Sequence, residues 1–195
     1  MAGLLLAAGG GRRLGGRPKA LLDLRGRPLV ENAVRVLREG GCGTVWVVLG
    51  AAADQVLDRA DLRGCEVVRN EDWAAGMGTS LRAGLAALSA SAPRGTSAAV
   101  VSLVDQPGIG AAAVARVLAA HGNGETLAAA GYAGDRGHPV LFGAGRWADV
   151  AASAGGDRGA RDYLRAHRAE LALVECGDVA DPYDIDTPPD LARLH

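Results

Sequence analysis

The sequence predicts an α/β fold of three layers, in which a mostly parallel sheet lies between helices on both faces. Short unbroken apolar runs, such as VWVVL at 45–49 and AAVVSLV at 98–104, alternate along the chain with segments of helical periodicity. Strands buried on both faces give such runs, and regular β–α alternation is typical of parallel sheets. With 195 residues, 49% of them hydrophobic and 22% charged, the chain is large enough to bury a core. We therefore expect one domain spanning residues 1–195.

The first half of the chain begins with a strand at 3–8, a short apolar run that stops at Gly9. After a glycine-rich loop, Pro28 suits the first turn of a helix, and apolar residues recur at helical spacing from position 30 to 37. Gly40 and Gly41 end this helix. A buried-type strand at 45–49, a helix at 54–60 and a strand at 65–68 follow.

The second half continues the alternation. A helix at 77–88 is entered through glycines, and the run at 98–104 is the clearest central strand. A helix at 109–121 and a strand at 126–132 come next. A helix at 157–168, a strand at 170–175 and a short helix at 188–195 complete the prediction.

Charge and composition exclude several kinds of partner. The formal net charge is −1 and aromatic residues make up 4%, so neither a nucleic-acid surface nor an anionic-membrane surface is indicated. No window approaches 18 apolar residues, so no membrane span is predicted. The three cysteines show no CxxC spacing, which argues against a zinc site or disulfide scaffold and fits a reducing, cytoplasmic compartment.

The loop after the first strand carries the strongest local signal. Gly9–Gly11 can direct backbone N–H groups into one concavity, and Arg12, Arg13 and Lys19 add positive charge, a combination that suits phosphate. The loop does not match the GxxxxGK[ST] phosphate-binding pattern. It also lacks the dinucleotide fingerprint, because Leu14 stands where glycine is required, and this disfavours a nicotinamide oxidoreductase. A solvated hairpin loop remains the structural alternative.

Lys19 is the single lysine among 21 basic residues. An ammonium is a compact point charge whereas a guanidinium is a wide planar fork, so a lysine kept in an arginine-rich chain suggests a position where arginine does not serve.

Carboxylates follow predicted strands at two places. Asp105 comes directly after the strand at 98–104, and Asp184 and Asp186 flank Ile185 near the end of the chain. Carboxylates at the carboxyl ends of parallel strands are well placed to hold Mg²⁺. An ordinary Asp-x-Pro turn is the alternative for Asp105. A near capping box at 187–190 explains the residues that begin the last helix, but it explains neither Asp184 nor Asp186.

Two further segments could bind ligands. Gly78, Thr79 and Ser80 begin a helix whose free N–H and hydroxyl groups can contact a base edge or an anion, although plain helix capping also accounts for them. In the segment GGDRGAR at 155–161, two arginines could bind an acidic substrate, or the aspartate could simply cap a helix. The histidine in RGHPVLF is more often structural than catalytic.

Together these motifs resemble the MobA-like NTP transferases, and within them the molybdenum cofactor cytidylyltransferases. The family pattern LAAGxGxRxGxxK matches the chain from Leu6 to Lys19 with one extra residue. The other family motifs match in order along the chain: GxxxSLxxG at 76–84, DxP at 105–107, GxPxLF at 137–142, GDxGAR at 156–161 and DIDTPxDL at 184–191.

The resemblance implies a Rossmann-like mixed sheet and a set of roles. Arg13 and Lys19 would be catalytic, neutralising charge on the triphosphate and the leaving pyrophosphate, while Asp105 and Asp186 would hold Mg²⁺, with Mn²⁺ as a substitute. The implied nucleotide-binding residues are Leu6, Ala7, Ala8, Gly9, Gly11, Gly78, Thr79 and Ser80. The implied acceptor-binding residues are His138, which stands where the family often has asparagine, Asp157, Arg158 and Arg161.

The implied reaction transfers CMP from CTP to the phosphate of molybdopterin or the molybdenum cofactor, with release of pyrophosphate. The sequence LAAG at 6–9 is that of cytidylyl-transferring members, whereas guanylyl-transferring relatives typically show LAGG. The implied partners are CTP, a phosphorylated pterin-type acceptor, and a molybdoenzyme or its maturation chaperone that receives the product. Alternatives are GTP as donor, a sugar or polyol phosphate as acceptor, and a non-catalytic chaperone that binds the molybdenum cofactor.

Overall fold

A seven-stranded sheet forms the centre of the structure, a computed structural model that describes residues 1–194. Its strands run in the order β5-β4-β1-β6-β8-β7-β9, and only β8 is antiparallel to its neighbours. The strands are β1 Ala2–Ala7, β2 Asp23–Leu24, β3 Arg27–Pro28, β4 Val45–Leu49, β5 Cys65–Arg69, β6 Ala98–Leu103, β7 Leu127–Tyr132, β8 Asp135–Gly143 and β9 Ala172–Glu175. The short strands β2 and β3 form a separate hairpin.

Helices cover both faces of the sheet, as the sequence predicts. They are α1 Leu29–Glu39, α2 Ala53–Arg59, α3 Met77–Ser91, α4 Ala111–Ala119, α5 Trp147–Ser153 and α6 Arg161–Ala166. Side chains from α1, α2 and α4 pack on one face with Leu5 of β1, whereas α3, α5 and α6 pack on the other face with Leu4. Successive residues of β1 therefore serve opposite cores, which is why the strand is apolar throughout.

Most predicted elements are confirmed, and the differences have local causes. The predicted helix at 157–168 is wrong in its first turn, because Gly159, with φ +53°, separates a short 3-10 turn at Gly156–Arg158 from α6. The segment at the end of the chain is confirmed as helical but forms a 3-10 helix, Pro188–Leu194, and position 195 lies outside the described residues.

The prediction omits β8 and α5. Pro139 lies inside β8, although proline is normally confined to edge strands because it has no N–H to donate. The pairing of β8 with β7 shifts register at this point, since Ala129 pairs with Val140 but Gly131 pairs with Arg136. The extra residues of β8 bulge there, so the ladder is already interrupted at the proline.

The carboxyl ends of β1, β4, β5 and β6 meet at one edge of the sheet, since these four strands are mutually parallel. Ligands of open α/β sheets bind beyond this edge, and the loops that leave it carry the residues singled out above. No helix among residues 1–194 is both long and apolar enough to cross a bilayer.

Candidate active site

The ammonium group of Lys19 lies between two carboxylates at this edge. Its Nζ donates to Asp105 Oδ2 at 2.7 Å and also to Asp186 Oδ1. Burial lowers the pKa of Lys19, but the charges and hydrogen bonds of both carboxylates outweigh that effect and the pKa is raised. The lysine therefore stays charged and partly neutralises two acidic groups.

The two carboxylates meet because the end of the chain is tied to the end of β6. The N–H of Ile185 donates to the carbonyl oxygen of Asp105 at 2.9 Å, and the Ile185 side chain is fully buried. Burial of Ile185 leaves the residues on either side facing outward. The Asp190 carboxylate accepts from the N–H groups of Asp186 and Thr187 at 3.1 and 2.7 Å, which fixes the backbone around Asp186.

The glycine loop turns sharply after β1. Gly11 has φ +59°, and a Cβ there would lie 1.9 Å from the carbonyl oxygen of Arg17, so only glycine fits. Leu14 is buried and anchors the loop to the core. Arg13 is exposed, and its Nη1 lies 3.9 Å from Asp186 Oδ2. The loop thus presents its basic side chains to the acidic pair.

A cleft of about 510 Å³ lies between this loop and the start of α3. Residues singled out in the sequence that line it are Leu6, Ala8, Gly9, Gly11, Arg13, Lys19, Ser80, Asp105, Asp157 and Asp186. Trp73 forms one wall, and it packs so closely on Gly50 that a side chain there would clash, while its contact with Gly10 is tight. A Cβ on Gly50 would lie 2.4 Å from the Cβ of Trp73, and a Cβ on Gly10 would lie 3.3 Å from its ring.

The buried side chain of Asn70 organises the wall contributed by α3. Its Nδ2 donates to Thr79 Oγ1 at 2.8 Å and to Ser80 Oγ at 3.0 Å, and its Oδ1 accepts from the N–H of Asp72 at 3.1 Å. The Thr79 hydroxyl has the carbonyl oxygens of Asp72 and Gly76 as acceptors. The hydroxyl of Thr79 therefore makes its hydrogen bonds within the protein, whereas Ser80 lines the cleft.

A second cleft of about 410 Å³ adjoins the first. All four residues that the resemblance implies for the acceptor line it, namely His138, Asp157, Arg158 and Arg161. Apolar side chains, including Val101, Val140 and Phe142, form part of the lining, and Tyr132 and Arg136 also face it. The second cleft thus combines an apolar surface with charged side chains of both signs, since three arginines and three aspartates line it.

His138 is half-buried in this second cleft. Burial lowers its pKa to about 4, while Asp105 acts in the opposite direction and Arg136 in the same direction. The imidazole is therefore neutral at pH 7 and lies within electrostatic reach of Asp105 and Arg136. Its carbonyl oxygen accepts a 2.6 Å hydrogen bond from the Tyr132 hydroxyl.

The two clefts share a wall. Leu6, Leu103, Met77, Asp157 and Asp184 line both of them. The wall is held by close backbone packing, since a Cβ on Gly78 would lie 2.6 Å from the N of Gly155. A ligand in either cleft would therefore touch the same few residues.

Three residues implied to bind nucleotide lie outside the lining of the larger cleft: Ala7, Gly78 and Thr79. Ala7, the last residue of β1, is buried in the core, and Gly78 packs against the backbone at 155. These three residues therefore influence the shape of the cleft through packing and are not part of its lining.

The sequence does not single out Trp73, Gln106 or Arg136, although each of them lines a cleft. It marks Asp184 only as one of the two carboxylates that flank Ile185. Trp73 is one of three tryptophans in a chain poor in aromatic residues, and its position after β5 was an available signal. Asp184 lines both clefts, and Gln106 Nε2 donates to its Oδ1 at 2.9 Å. Burial raises the pKa of Asp184 although this hydrogen bond opposes the rise. Arg136 belongs to none of the recognised motifs, because its role depends on residues that are distant in the sequence and lie beside it only in the folded protein.

Asp105 and Asp186 suit a divalent cation that arrives with a nucleotide. Both are hard oxygen donors, and both contact one ammonium, so a single cation can reach them together. Within residues 1–194 no cluster of three or more His, Cys, Asp or Glu side chains forms a metal site. Mg²⁺ commonly takes one or two carboxylates and completes its shell with substrate phosphates and water, so two carboxylates are sufficient.

Two clefts that share a wall at the carboxyl edge of a mostly parallel sheet suit an enzyme that transfers part of one ligand to another. The basic glycine loop in the larger cleft favours a nucleotide as the donor, which defines the class as a nucleotidyltransferase. Residues 3–171 match the model of the MobA-like NTP transferase domain, and the chain belongs to that family.

Similar proteins carry more than one name. The chain is 43% identical to "Nicotine blue oxidoreductase" of Paenarthrobacter nicotinovorans, over 98% of this chain and 95% of that protein. It is 42% identical to "Probable molybdenum cofactor guanylyltransferase" of Opitutus terrae, over 57% of this chain and 51% of that protein.

Solved structures agree on the fold. The crystal structure of the Mycobacterium tuberculosis rv0371c homolog from mycobacterium sp. strain JC1 superposes with a TM-score of 0.84 at 36% identity, over 99% of this chain and 93% of that one. A manganese complex of Rv0371C from Mycobacterium tuberculosis superposes with a TM-score of 0.79 at 30% identity, over 99% and 96%.

Proposed function

We propose that this protein transfers CMP from CTP to the phosphate of a molybdopterin-type acceptor and releases pyrophosphate. The shared wall between the two clefts is the observation that carries the proposal, because a nucleotide in one cleft and an acceptor in the other would lie side by side. Membership of the MobA-like family and similarity to a molybdenum cofactor guanylyltransferase support nucleotidyl transfer and this acceptor class. The LAAG sequence at 6–9 favours CTP over GTP.

The chemistry requires positioning and charge stabilisation more than proton transfer. A phosphate nucleophile is already anionic at pH 7, so attack on the α-phosphorus needs no general base. Asp105 and Asp186 would hold Mg²⁺ or Mn²⁺, which supplies charge neutralisation when it is bound. Arg13 and Lys19 would stabilise negative charge on the triphosphate and on pyrophosphate as it leaves.

The remaining residues orient the two substrates. The glycine loop would hold the phosphates, and Ser80, fixed by Asn70, would contact the base together with Trp73. The second cleft would hold the pterin body against its apolar lining. His138, neutral at pH 7, would add a hydrogen-bonding group without adding charge.

The test is pyrophosphate release from each of the four common NTPs, with and without molybdenum cofactor. We expect release with CTP, and only when the cofactor is present. A kcat/KM for GTP equal to or above that for CTP would overturn the choice of nucleotide. Release with a sugar or polyol phosphate in place of the cofactor would identify a different acceptor. Tight cofactor binding without release under any condition would favour the chaperone alternative.

A second candidate function comes from the relative named nicotine blue oxidoreductase, which aligns with nearly the whole chain. The sequence lacks the dinucleotide fingerprint, so a nicotinamide would have to bind in another way. Spectrophotometric assay of nicotine blue with NADH or NADPH separates the two candidates. Dye reduction without NTP, unaffected by Asp105→Asn, would favour the oxidoreductase.

A further inference from the structure

The second cleft contains two guanidinium groups that have no anionic partner. Arg136 lies on β8 and Arg161 begins α6, and both line the cleft. Among residues 1–194, neither forms a salt bridge within 4.0 Å or a side-chain hydrogen bond. The nearby Arg158 differs, since its Nη1 lies 3.2 Å from Asp162.

The two unpaired groups are close enough to repel each other. Burial lowers the pKa of Arg136, and the charge of Arg161 lowers it further. Asp135, Asp157 and Asp184 also line the cleft, but among residues 1–194 no carboxylate lies within 4.0 Å of either guanidinium. An anion bound between the two arginines would therefore relieve their mutual repulsion. Arginine pairs suit phosphate in particular, because each planar guanidinium can donate two parallel hydrogen bonds to it.

The surroundings of the two arginines also suit an acceptor. His138, which the resemblance implies for the acceptor, lines the same cleft as Arg136 and Arg161, and the charges of Asp105 and Arg136 both affect its pKa. The apolar lining beside the arginines suits a ring system that carries the anionic group. We propose that Arg136 and Arg161 together bind the phosphate of the acceptor, and that Arg158 does not.

This inference rests on the proposed function in one respect, namely that the anion is the phosphate of a pterin-type acceptor. The probes are 6-hydroxymethylpterin phosphate and its parent alcohol, 6-hydroxymethylpterin, whose fluorescence reports binding. α,β-Methylene-CTP and Mg²⁺ are added to occupy the nucleotide cleft. The variants are Arg136→Gln, Arg161→Gln and the double variant. Arg165→Gln is the matched control, because Arg165 pairs with Asp162 at 3.0 Å and lies outside the lining of the cleft.

We expect the wild-type protein and the Arg165→Gln control to bind the phosphate about ten- to a hundredfold more tightly than the alcohol, the range expected for charged hydrogen bonds. Arg136→Gln and Arg161→Gln should each lose most of this preference, and the double variant all of it. Affinity for the alcohol should not change. Unchanged affinity for the CTP analogue shows that each variant is folded.

The inference is overturned if Arg136→Gln keeps the wild-type preference, or if the wild-type protein does not prefer or does not bind the phosphate. Because these measurements need no turnover, they are independent of the test of the proposed function. Loss of the preference in the variants, together with no pyrophosphate release from any NTP, would reject the transferase and keep the phosphate site.

Discussion

Lys19 Nζ lies 2.7 Å from Asp105 Oδ2, although the two residues are 86 positions apart in the sequence. The same ammonium also contacts Asp186, which is 167 positions away. A divalent cation held by both carboxylates would compete with the lysine for their negative charge. Lys19 would then be available for the phosphates that accompany the metal.

The first prediction concerns metal binding. Asp105→Asn and Asp186→Asn should each abolish tight Mn²⁺ binding in the presence of CTP, measured by EPR, and lower turnover by roughly two orders of magnitude or more. The fold should persist, because neither carboxylate is part of the core. Asp54→Asn is the control, since Asp54 pairs with exposed Arg69 away from Lys19. Near wild-type turnover in either variant at saturating Mg²⁺ would contradict a shared metal site.

The second prediction concerns the shape of the lysine charge. Lys19→Arg keeps the charge, but a planar fork replaces an ammonium whose side chain is only 13% exposed between two carboxylates. We expect activity to fall in both Lys19→Arg and Lys19→Ala, with about 3–4 kcal/mol of transition-state stabilisation lost, as for a missing oxyanion donor.

Mn²⁺ binding without nucleotide separates the role of the charge from that of the shape. Lys19→Ala should bind Mn²⁺ more tightly than the wild-type protein, because the cation no longer competes with an ammonium. Full activity in Lys19→Arg would show that the compact ammonium is not required.

The third prediction concerns Ala8, which is 7% exposed and lines the larger cleft, where the nucleotide is proposed to bind. The methyl group of Ala8 lies against Gly50, since a Cβ on Gly50 would come within 2.9 Å of it. Ala8→Gly should create room for a purine and raise kcat/KM for GTP relative to CTP. The measurement is steady-state kinetics with both nucleotides and molybdenum cofactor. An unchanged ratio would leave the choice of nucleotide without this steric explanation.

The fourth prediction is a pH dependence of stability. Burial lowers the pKa of His138 from 6.5 to about 4 in the folded protein. Between these values the unfolded chain binds a proton that the folded protein does not, so stability falls as the pH drops through this window. His138→Asn should remove up to about 3 kcal/mol of this loss, at 1.36 kcal/mol per pKa unit. Urea unfolding of both proteins at the two ends of the window measures it, and parallel losses would disprove it.

The fifth prediction concerns the wall between the clefts. Glycine to alanine within a helix normally increases stability, by about 0.5–1 kcal/mol. Gly78→Ala should instead destabilise the protein by about 1–3 kcal/mol, because the new Cβ would lie 2.6 Å from the backbone N of Gly155. It should also raise KM for both substrates.

Gly155→Ala is the matched control for Gly78→Ala. Gly155 has an extended backbone, and a Cβ there would meet nothing within 4 Å. This substitution should therefore leave thermal stability unchanged. A Gly78→Ala protein more stable than wild type would mean that the two segments separate easily.

The sequence by itself determined the layers of the fold and the segments that reach the ligand edge. Apolar runs such as Val45–Leu49 must be buried on both faces, and that requirement is local enough to be read from the chain. The glycine loop, Asp105 and Asp186 follow strands or precede helices, so their common edge follows from the parallel order of the strands. The sequence did not predict strand β8, because Pro139 is tolerated only where extra residues of β8 interrupt its pairing with β7.

Only the tertiary structure decided which charges face one another. Lys19 meets Asp105 and Asp186 because the N–H of Ile185 bonds to the carbonyl of Asp105, a contact between distant segments. Arg136 and Arg161 become neighbours because β8 and α6 line the same cleft, and no spacing in the sequence indicates it. The physical reason is that burial of apolar strands and helices specifies a local periodicity, whereas electrostatic interactions depend on distances through space that the chain order does not contain.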